Sequence, residues 1–161
     1  MKVEHDSCDD HHRGTAVRAG AVQGGLHGDC LHTVFHRDRW KDACLWKTLK
    51  DHGAAMWFAS DWPIAEVSAL RGMQAQLTRV PFEGAADARL SLRETLHAYT
   101  AGGAWAAHLE GLIGRLVPGL AADLVVLDGD SAATAPQDPG GMGIALTMSG
   151  GRITHRGAGV A

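Results

Sequence analysis

The chain has 161 residues, of which 45% are hydrophobic, and a formal net charge of −3 at pH 7. This composition is that of a globular protein, and it argues against a nucleic-acid-binding protein, which would be basic. The apolar runs are too short to span a membrane, and charged residues rather than a signal peptide follow Met1. The three cysteines do not indicate a disulfide framework, so we expect a reduced, cytoplasmic protein.

Histidine and cysteine are concentrated near the N-terminus. His27, Cys30, His32 and His36 lie within ten residues. Their spacing matches no established structural zinc pattern, which pairs ligands across a defined turn. Surface histidines are the simpler interpretation, and a small metal-binding or metal-storage protein is the alternative hypothesis for this segment.

A helix, a glycine and an apolar run follow one another in the next part of the chain. Residues 39–50 have the pattern of an amphipathic helix, whose apolar face contains Ala43, Trp46 and Leu49. Gly53 is expected to end this helix as a C-cap. Residues 54–59 are continuously apolar, which predicts a parallel strand covered on both faces.

The predicted strand ends at an acidic residue. Residues 57–63 read Trp-Phe-Ala-Ser-Asp-Trp-Pro, so Asp61 follows the apolar run and Pro63 prevents its continuation. Strands of α/β barrels deliver catalytic carboxylates to the barrel mouth in this way. The structural alternative is that Asp61 is a turn or helix-capping residue. The next helix is predicted over residues 67–77, beginning near Ser68.

The remaining elements are a helix and a set of short strands. Ser91 and Glu94 match a capping box, and Leu92, Leu96 and Tyr99 are predicted to face the core. Strands are predicted over 123–127, 145–149 and 152–155, the last two joined by a Gly150-Gly151 turn. We expect residues 131–143 to form a flexible loop. Ser91 lacks the Gly-x-Ser-x-Gly setting of a nucleophile, and no lysine follows Gly102-Gly103 as a phosphate loop requires.

Several of these blocks together resemble one family. The blocks are Ser-Asp-Trp-Pro-Ile-Ala at 60–65, Leu-Arg-Gly at 70–72, residues 90–96, residues 98–104, and Gly-Arg-Leu-Val-Pro-Gly-Leu-Ala-Ala-Asp-Leu-Val-Val-Leu-Asp at 114–128. With these blocks the sequence resembles the C-terminal part of the amidohydrolase superfamily, in its amidohydrolase-3 (YtcJ-like) branch, over roughly residues 39–156. Residues 6–38 show little similarity.

The resemblance implies an α/β fold class. Residues 1–110 would be the last strand–helix units of a metal-dependent hydrolase's TIM-like (β/α)8 barrel. Residues 111–161 would form part of the small composite β-sandwich domain found beside the barrel. In the family both chain ends build that sandwich, so we expect an incomplete sandwich with an exposed edge, which is an aggregation hazard.

The resemblance also implies a site. Asp61 corresponds to the family's aspartate that binds the metal and takes a proton from the attacking water. His5, in Lys2-Val3-Glu4-His5, resembles a histidine ligand of the family. A divalent metal, most typically zinc, would lower the pKa of bound water to about 7 and polarise the scissile carbonyl. The implied reaction is hydrolysis of carbon–nitrogen, non-peptide bonds in a small-molecule, amide-like substrate.

The chain departs from the family pattern in one important respect. The His-x-His pair that the family places after its first strand occurs nowhere in this chain. A complete barrel takes about 250 residues, so residues 1–110 can supply only about three strand–helix units. We therefore expect the C-terminal third of an enzyme, whose partner is a complementing fragment or a further copy in a homo-oligomer. The alternative is a non-catalytic truncated remnant.

Overall fold

Two sheets and four α-helices make up the described structure. The computed structural model describes residues 16–20, 36–60, 62, 66–135 and 139–158, with only the backbone of residues 16–20. Strands β1 (Ala16–Gly20) and β2 (Ala55–Ala59) pair in parallel. The helices are α1 (Trp46–Asp51), α2 (Ala69–Thr78), α3 (Leu92–Tyr99) and α4 (Ala101–Ala106). The second sheet contains β3 (Leu124–Leu127), β4 (Ile144–Ser149) and β5 (Arg152–Arg156).

The single helix predicted over residues 39–50 is wrong. A 3₁₀ helix covers Arg37–Asp42, and α1 begins only at Trp46. Between them Cys44 adopts a φ of 57°, a left-handed conformation that a right-handed helix cannot contain. Trp46 is nevertheless buried and Leu49 packs against the core, as the apolar pattern predicted.

Helix α1 ends as predicted, at a glycine. Gly53 has a φ of +87° and donates its N–H to the Lys50 carbonyl at 2.8 Å. The N–H of Ala54 reaches the Leu49 carbonyl at 3.0 Å. These two bonds form a Schellman motif, in which a residue with positive φ satisfies the last carbonyls of a helix. The motif also turns the chain directly into β2.

Strand β2 is packed mainly on one face. Met56 and Phe58 are buried, whereas Ala55, Trp57 and Ala59 are half-buried. The buried pair forms a core cluster with Trp46, Leu90 and Ala98. The expectation that the strand is covered on both faces therefore holds fully for one face and only in part for the other, in the described part of the chain. The packed layer behind Met56 and Phe58 supplies one covered face, and a second layer would be needed to bury the other.

The starts of helices α2 and α3 agree with the sequence. Ser68 caps α2 and its side chain accepts the Arg71 N–H at 3.3 Å. Ser91 caps α3 in a complete capping box: its hydroxyl accepts the Glu94 N–H, and the Glu94 carboxylate accepts the Ser91 N–H at 2.8 Å. On α3, Thr95 and Ala98 are buried, and the predicted core residues Leu92, Leu96 and Tyr99 flank them half-buried.

The C-terminal strands form an antiparallel sheet in the order β3-β4-β5. The predicted hairpin is confirmed: β4 and β5 turn at Gly150 and Gly151, whose φ values are +55° and +78°. Two positive φ values in a two-residue turn match the twist of the strands they join. The Asp123 carboxylate accepts the Gly150 N–H at 2.6 Å and so links the start of β3 to this turn.

The segment predicted as a flexible loop is partly packed. Within residues 131–143, a short 3₁₀ helix at Pro139–Gly141 lies against α2, and Pro139 is fully buried. Residues 131–135 form turns and a bend, as expected of a loop. In the described residues, none of the helices has both the length and the apolar character that crossing a membrane requires.

Candidate active site

The carboxyl ends of the two parallel strands meet at one edge. Gly20 lies opposite Ala59, so β1 and β2 finish at the same level. Open and closed α/β sheets bind their ligands at this edge, where the loops that follow the strands converge. Ser60 follows β2 and is half-buried, and Trp62 is 69% exposed. This edge, with Ser60 and Trp62, is the candidate active site.

The two predicted metal ligands lie outside the described residues. Neither Asp61 nor His5 is among them, so the roles expected for both stay predictions. Of the N-terminal cluster, His27, Cys30 and His32 are also outside. His36 is described, and its Nδ1 lies 3.2 Å from an Asp38 carboxylate oxygen on the surface. In the described ranges no three His, Cys, Asp or Glu side chains are grouped so that they could hold a metal ion.

Aromatic contacts support β2 from both sides. The Phe58 and Tyr99 rings meet edge to face with centroids 5.6 Å apart. The Trp57 and Trp105 rings lie 5.9 Å apart. Burial raises the pKa of the Tyr99 hydroxyl to about 12, so this ring stays neutral beside the strand. These contacts hold the strand that leads into the site.

A glycine lets helix α4 approach the strand closely. A Cβ on Gly102 would lie only 2.3 Å from the Met56 carbonyl oxygen, so only a residue without a side chain fits. The Gly102-Gly103 pair therefore lies inside a helix packed on β2 and is not a phosphate loop, in agreement with the sequence. This packing role was not predicted, because the pair carries no local signal of the strand it faces.

An ion pair that sequence reasoning also missed joins α1 to α3 around the strand. The Lys50 ammonium lies 2.7 Å from the Glu94 carboxylate. This hydrogen bond, together with the N–H of Ser91, lowers the pKa of Glu94 to about 2. The two residues are far apart in the chain, and no spacing rule connects them.

His108 ends helix α4 through its backbone. It has a φ of 57°, and its N–H bonds to the Trp105 carbonyl at 3.0 Å. The next N–H, that of Leu109, bonds to the Ala104 carbonyl at 2.8 Å. His108 thus occupies the position that glycine usually takes in a Schellman motif. We assign it a backbone role and no part in the candidate site.

Comparison with known proteins identifies related sequences. A sequence model described as the amidohydrolase family matches residues 14–155, which begins earlier than the resemblance predicted. The chain is 32% identical over 126 residues to "Putative amidohydrolase YtcJ" of Bacillus subtilis (strain 168), covering 74% of this chain and 24% of that protein. It is 32% identical over 95 residues to "Protein LONG AFTER FAR-RED 3" of Arabidopsis thaliana, covering 56% and 16%.

Solved structures share the fold. An amidohydrolase from Thermotoga maritima MSB8 superposes with a TM-score of 0.54 at 22% identity, over 71% of this chain and 26% of that one. E. coli guanine deaminase gives a TM-score of 0.53 at 21% identity, over 69% and 30%. The chain thus spans less than a third of these structures and at most 24% of the two curated relatives. The described part of the chain has the mixed α/β fold of one portion of these structures. Because the family match extends over most of the sequence, the chain belongs to the amidohydrolase family, in its amidohydrolase-3 branch.

Proposed function

We propose that this chain is part of a metal-dependent amidohydrolase that hydrolyses carbon–nitrogen, non-peptide bonds in a small, amide-like molecule. Family membership over residues 14–155 supports a hydrolase of this class. The similarity to a protein named a putative amidohydrolase points the same way. Metal dependence and the catalytic residues are our proposals.

The observation that carries the proposal is the shared carboxyl edge of β1 and β2. Asp61 is the second residue after the end of β2, between the half-buried Ser60 and the exposed Trp62. A carboxylate supplied by a loop at such an edge is suited to binding a metal and accepting a proton from water. We propose both roles for Asp61. The exposed ring of Trp62 would offer an apolar surface to the substrate.

We propose a divalent metal, zinc by preference, with Asp61 and His5 among its ligands. A catalytic zinc site commonly has three protein ligands and an open position for water or substrate. Asp61 and His5 are one ligand short of that set, so the complete centre needs a further ligand. When bound, the metal would supply Lewis-acid activation of the carbonyl.

The coverage of the relatives favours a second candidate function for the isolated chain. The similar region of 126 residues covers 24% of the YtcJ protein. In this second proposal the chain contributes Asp61 to an activity that a complementing fragment or a longer polypeptide completes. The isolated chain would then bind metal weakly and hydrolyse nothing by itself.

Zinc binding and hydrolysis measured together test these proposals. We would titrate zinc into the full chain by calorimetry and assay formamides and N-acyl amines, comparing Asp61→Asn with the neighbouring control Ser60→Ala. Loss of a general base is expected to lower the rate by about 10²-fold or more, and Ser60→Ala should have little effect. Zinc affinity should fall in Asp61→Asn only. A wild-type chain that binds zinc through Asp61 without hydrolysis supports the second candidate.

One variant separates both proposals from the metal-storage hypothesis. The double substitution His27→Ala with Cys30→Ala removes two members of the N-terminal cluster. If the chain uses Asp61, this double variant keeps its zinc affinity. If instead zinc binding disappears in the double variant and survives in Asp61→Asn, the amidohydrolase site is wrong and the cluster is the metal site.

A further inference from the structure

Helix α2 is packed on one side against the body of the α/β part. Gly72, Met73 and Gln76 are buried on that side. The Gln76 side-chain amide donates to the Ala88 carbonyl at 3.0 Å, so the helix is hydrogen-bonded there to the chain that leads into α3. This contact fixes one side of α2 only.

The opposite side of α2 meets the 3₁₀ helix Pro139–Gly141. Arg71 and Gln74 lie about 180° around α2 from the centre of the buried side, because each residue of an α-helix advances by about 100°. A Cβ on Gly140 would overlap the Gln74 Oε1 and would lie 3.4 Å from the Arg71 Cγ. Pro139 is fully buried. The outer side of α2 therefore packs directly on the backbone of Gly140.

The 3₁₀ helix is fixed to the C-terminal sheet by the residues that follow it. The Met142 N–H bonds to the Pro139 carbonyl at 3.2 Å. Asp128 and Gly143 then exchange two hydrogen bonds: the Asp128 N–H donates to the Gly143 carbonyl at 3.1 Å, and the Gly143 N–H donates to the Asp128 carboxylate at 2.9 Å. Asp128 directly follows β3, and Gly143 directly precedes β4. The sheet thus supports α2 through this short helix.

Helix α2 in turn follows the segment that contains Asp61. The helix begins at Ala69, eight positions after Asp61, and is capped by Ser68. The Arg71 Nε lies 3.2 Å from the Glu66 carboxylate, so the chain just before the helix is also held to it. The segment that contains Asp61 therefore joins two packed elements, β2 and α2. A shift of α2 moves one of its two ends.

We propose that Gly140 is a positioning residue for Asp61. By letting α2 pack closely on the 3₁₀ helix, Gly140 fixes the far end of the segment that carries the carboxylate and so sets how Asp61 meets the metal. The C-terminal sheet then acts on the active site through backbone packing and supplies no ligand itself. This role rests on the proposed function, in which Asp61 is a metal ligand.

A valine at position 140 tests the packing without any metal. Alanine would be accommodated in part by rotation of the Gln74 amide, whereas valine also meets the Arg71 stem. Hydrogen exchange of the full chain, followed by mass spectrometry, should be about threefold to tenfold faster over residues 60–78 in Gly140→Val. The control is Gly141→Val, because a Cβ on Gly141 meets nothing within 4 Å, and it should match the wild type. Unchanged exchange over residues 60–78 in Gly140→Val overturns the proposal.

Zinc binding distinguishes positioning from stability alone. Calorimetric titration with zinc should show an affinity about tenfold lower in Gly140→Val than in Gly141→Val, as expected when a ligand loses its support. Adding Gln74→Ala to Gly140→Val makes room for the valine and should restore both the exchange rates and the zinc affinity. A zinc affinity that depends on Asp61 but not on Gly140 overturns this role alone. Equal zinc binding by the wild type and Asp61→Asn overturns this role together with the proposed function.

A smaller substitution covers the case in which the valine variant does not fold, which circular dichroism would show. Gly140→Ala imposes only the overlap with Gln74 Oε1. Exchange over residues 60–78 and zinc affinity should then each change by about threefold, and Gln74→Ala should again reverse both changes. If neither quantity differs from that of Gly141→Ala, the proposal is wrong.

Discussion

Substituting Gly102 with alanine should destabilise the protein, because helix α4 lies against the backbone of β2 at this position. The new Cβ would lie 2.3 Å from the Met56 carbonyl oxygen and 3.2 Å from that of His97. A carbon–oxygen contact normally needs about 3.3 Å, so α4 would have to move by about 1 Å. Overpacking of this kind costs about 1–3 kcal/mol or more, against which alanine recovers about 1 kcal/mol of helix propensity. The backbone oxygen cannot rotate away, so the overpacking cost should lie at the upper end, about 3 kcal/mol, and the net loss should be about 2 kcal/mol.

The adjacent glycine provides the matched control. A Cβ on Gly103 meets nothing closer than the Ala98 carbonyl oxygen at 3.8 Å, an ordinary contact. Gly103→Ala should therefore stabilise the protein by about 0.5–1 kcal/mol through helix propensity alone. Urea unfolding followed by circular dichroism gives both free energies of unfolding, provided that the slope with urea is unchanged. If Gly102→Ala unfolds at the same urea concentration as Gly103→Ala, the close packing of α4 on β2 is incorrect.

Two further substitutions in α3 test the surroundings of the strand. Glu94 has a pKa lowered from 4.5 to about 2, so its contribution to stability is present above pH 4.5 and disappears as the pH falls toward about 2. Glu94→Gln should remove that part of the acid dependence of unfolding, and an unchanged pH profile would argue against the Lys50 ion pair. Thr95 is fully buried, and its hydroxyl has no hydrogen-bond partner in the described part of the structure. Thr95→Val keeps its shape and should stabilise the protein by about 1 kcal/mol in urea unfolding, whereas a loss of stability would show that the hydroxyl is bonded.

Local patterns predicted the elements whose determinants are close in sequence. Gly53 ends α1, Ser91 and Glu94 begin α3, and Gly150-Gly151 turns the hairpin, each through hydrogen bonds or dihedral angles within a few residues. The helix predicted over residues 39–50 is instead interrupted, and the cause is again local. Its apolar spacing is helical, but the left-handed Cys44 interrupts it, and cysteine gives no sequence signal for that conformation.

The candidate site was predictable only in part. The sequence indicated that Asp61 follows a strand of an α/β fold, and family membership supports that interpretation. The parallel character of β2 was predicted, but its partner strand β1 was not, because residues 6–38 showed little resemblance. Pairing of parallel strands joins segments that are distant in the chain, so no local pattern reports it.

The sequence by itself determined the family, the position of β2 before Asp61, and the helix and hairpin ends, because capping residues, glycines and apolar runs act over a few neighbouring positions. Only the tertiary structure decided that β2 is covered mainly on one face, that Gly102 must be a glycine, and that Lys50 pairs with Glu94. These features depend on which segments meet in space. Each contact joins residues far apart in the chain, and it forms only when the packed elements hold them together.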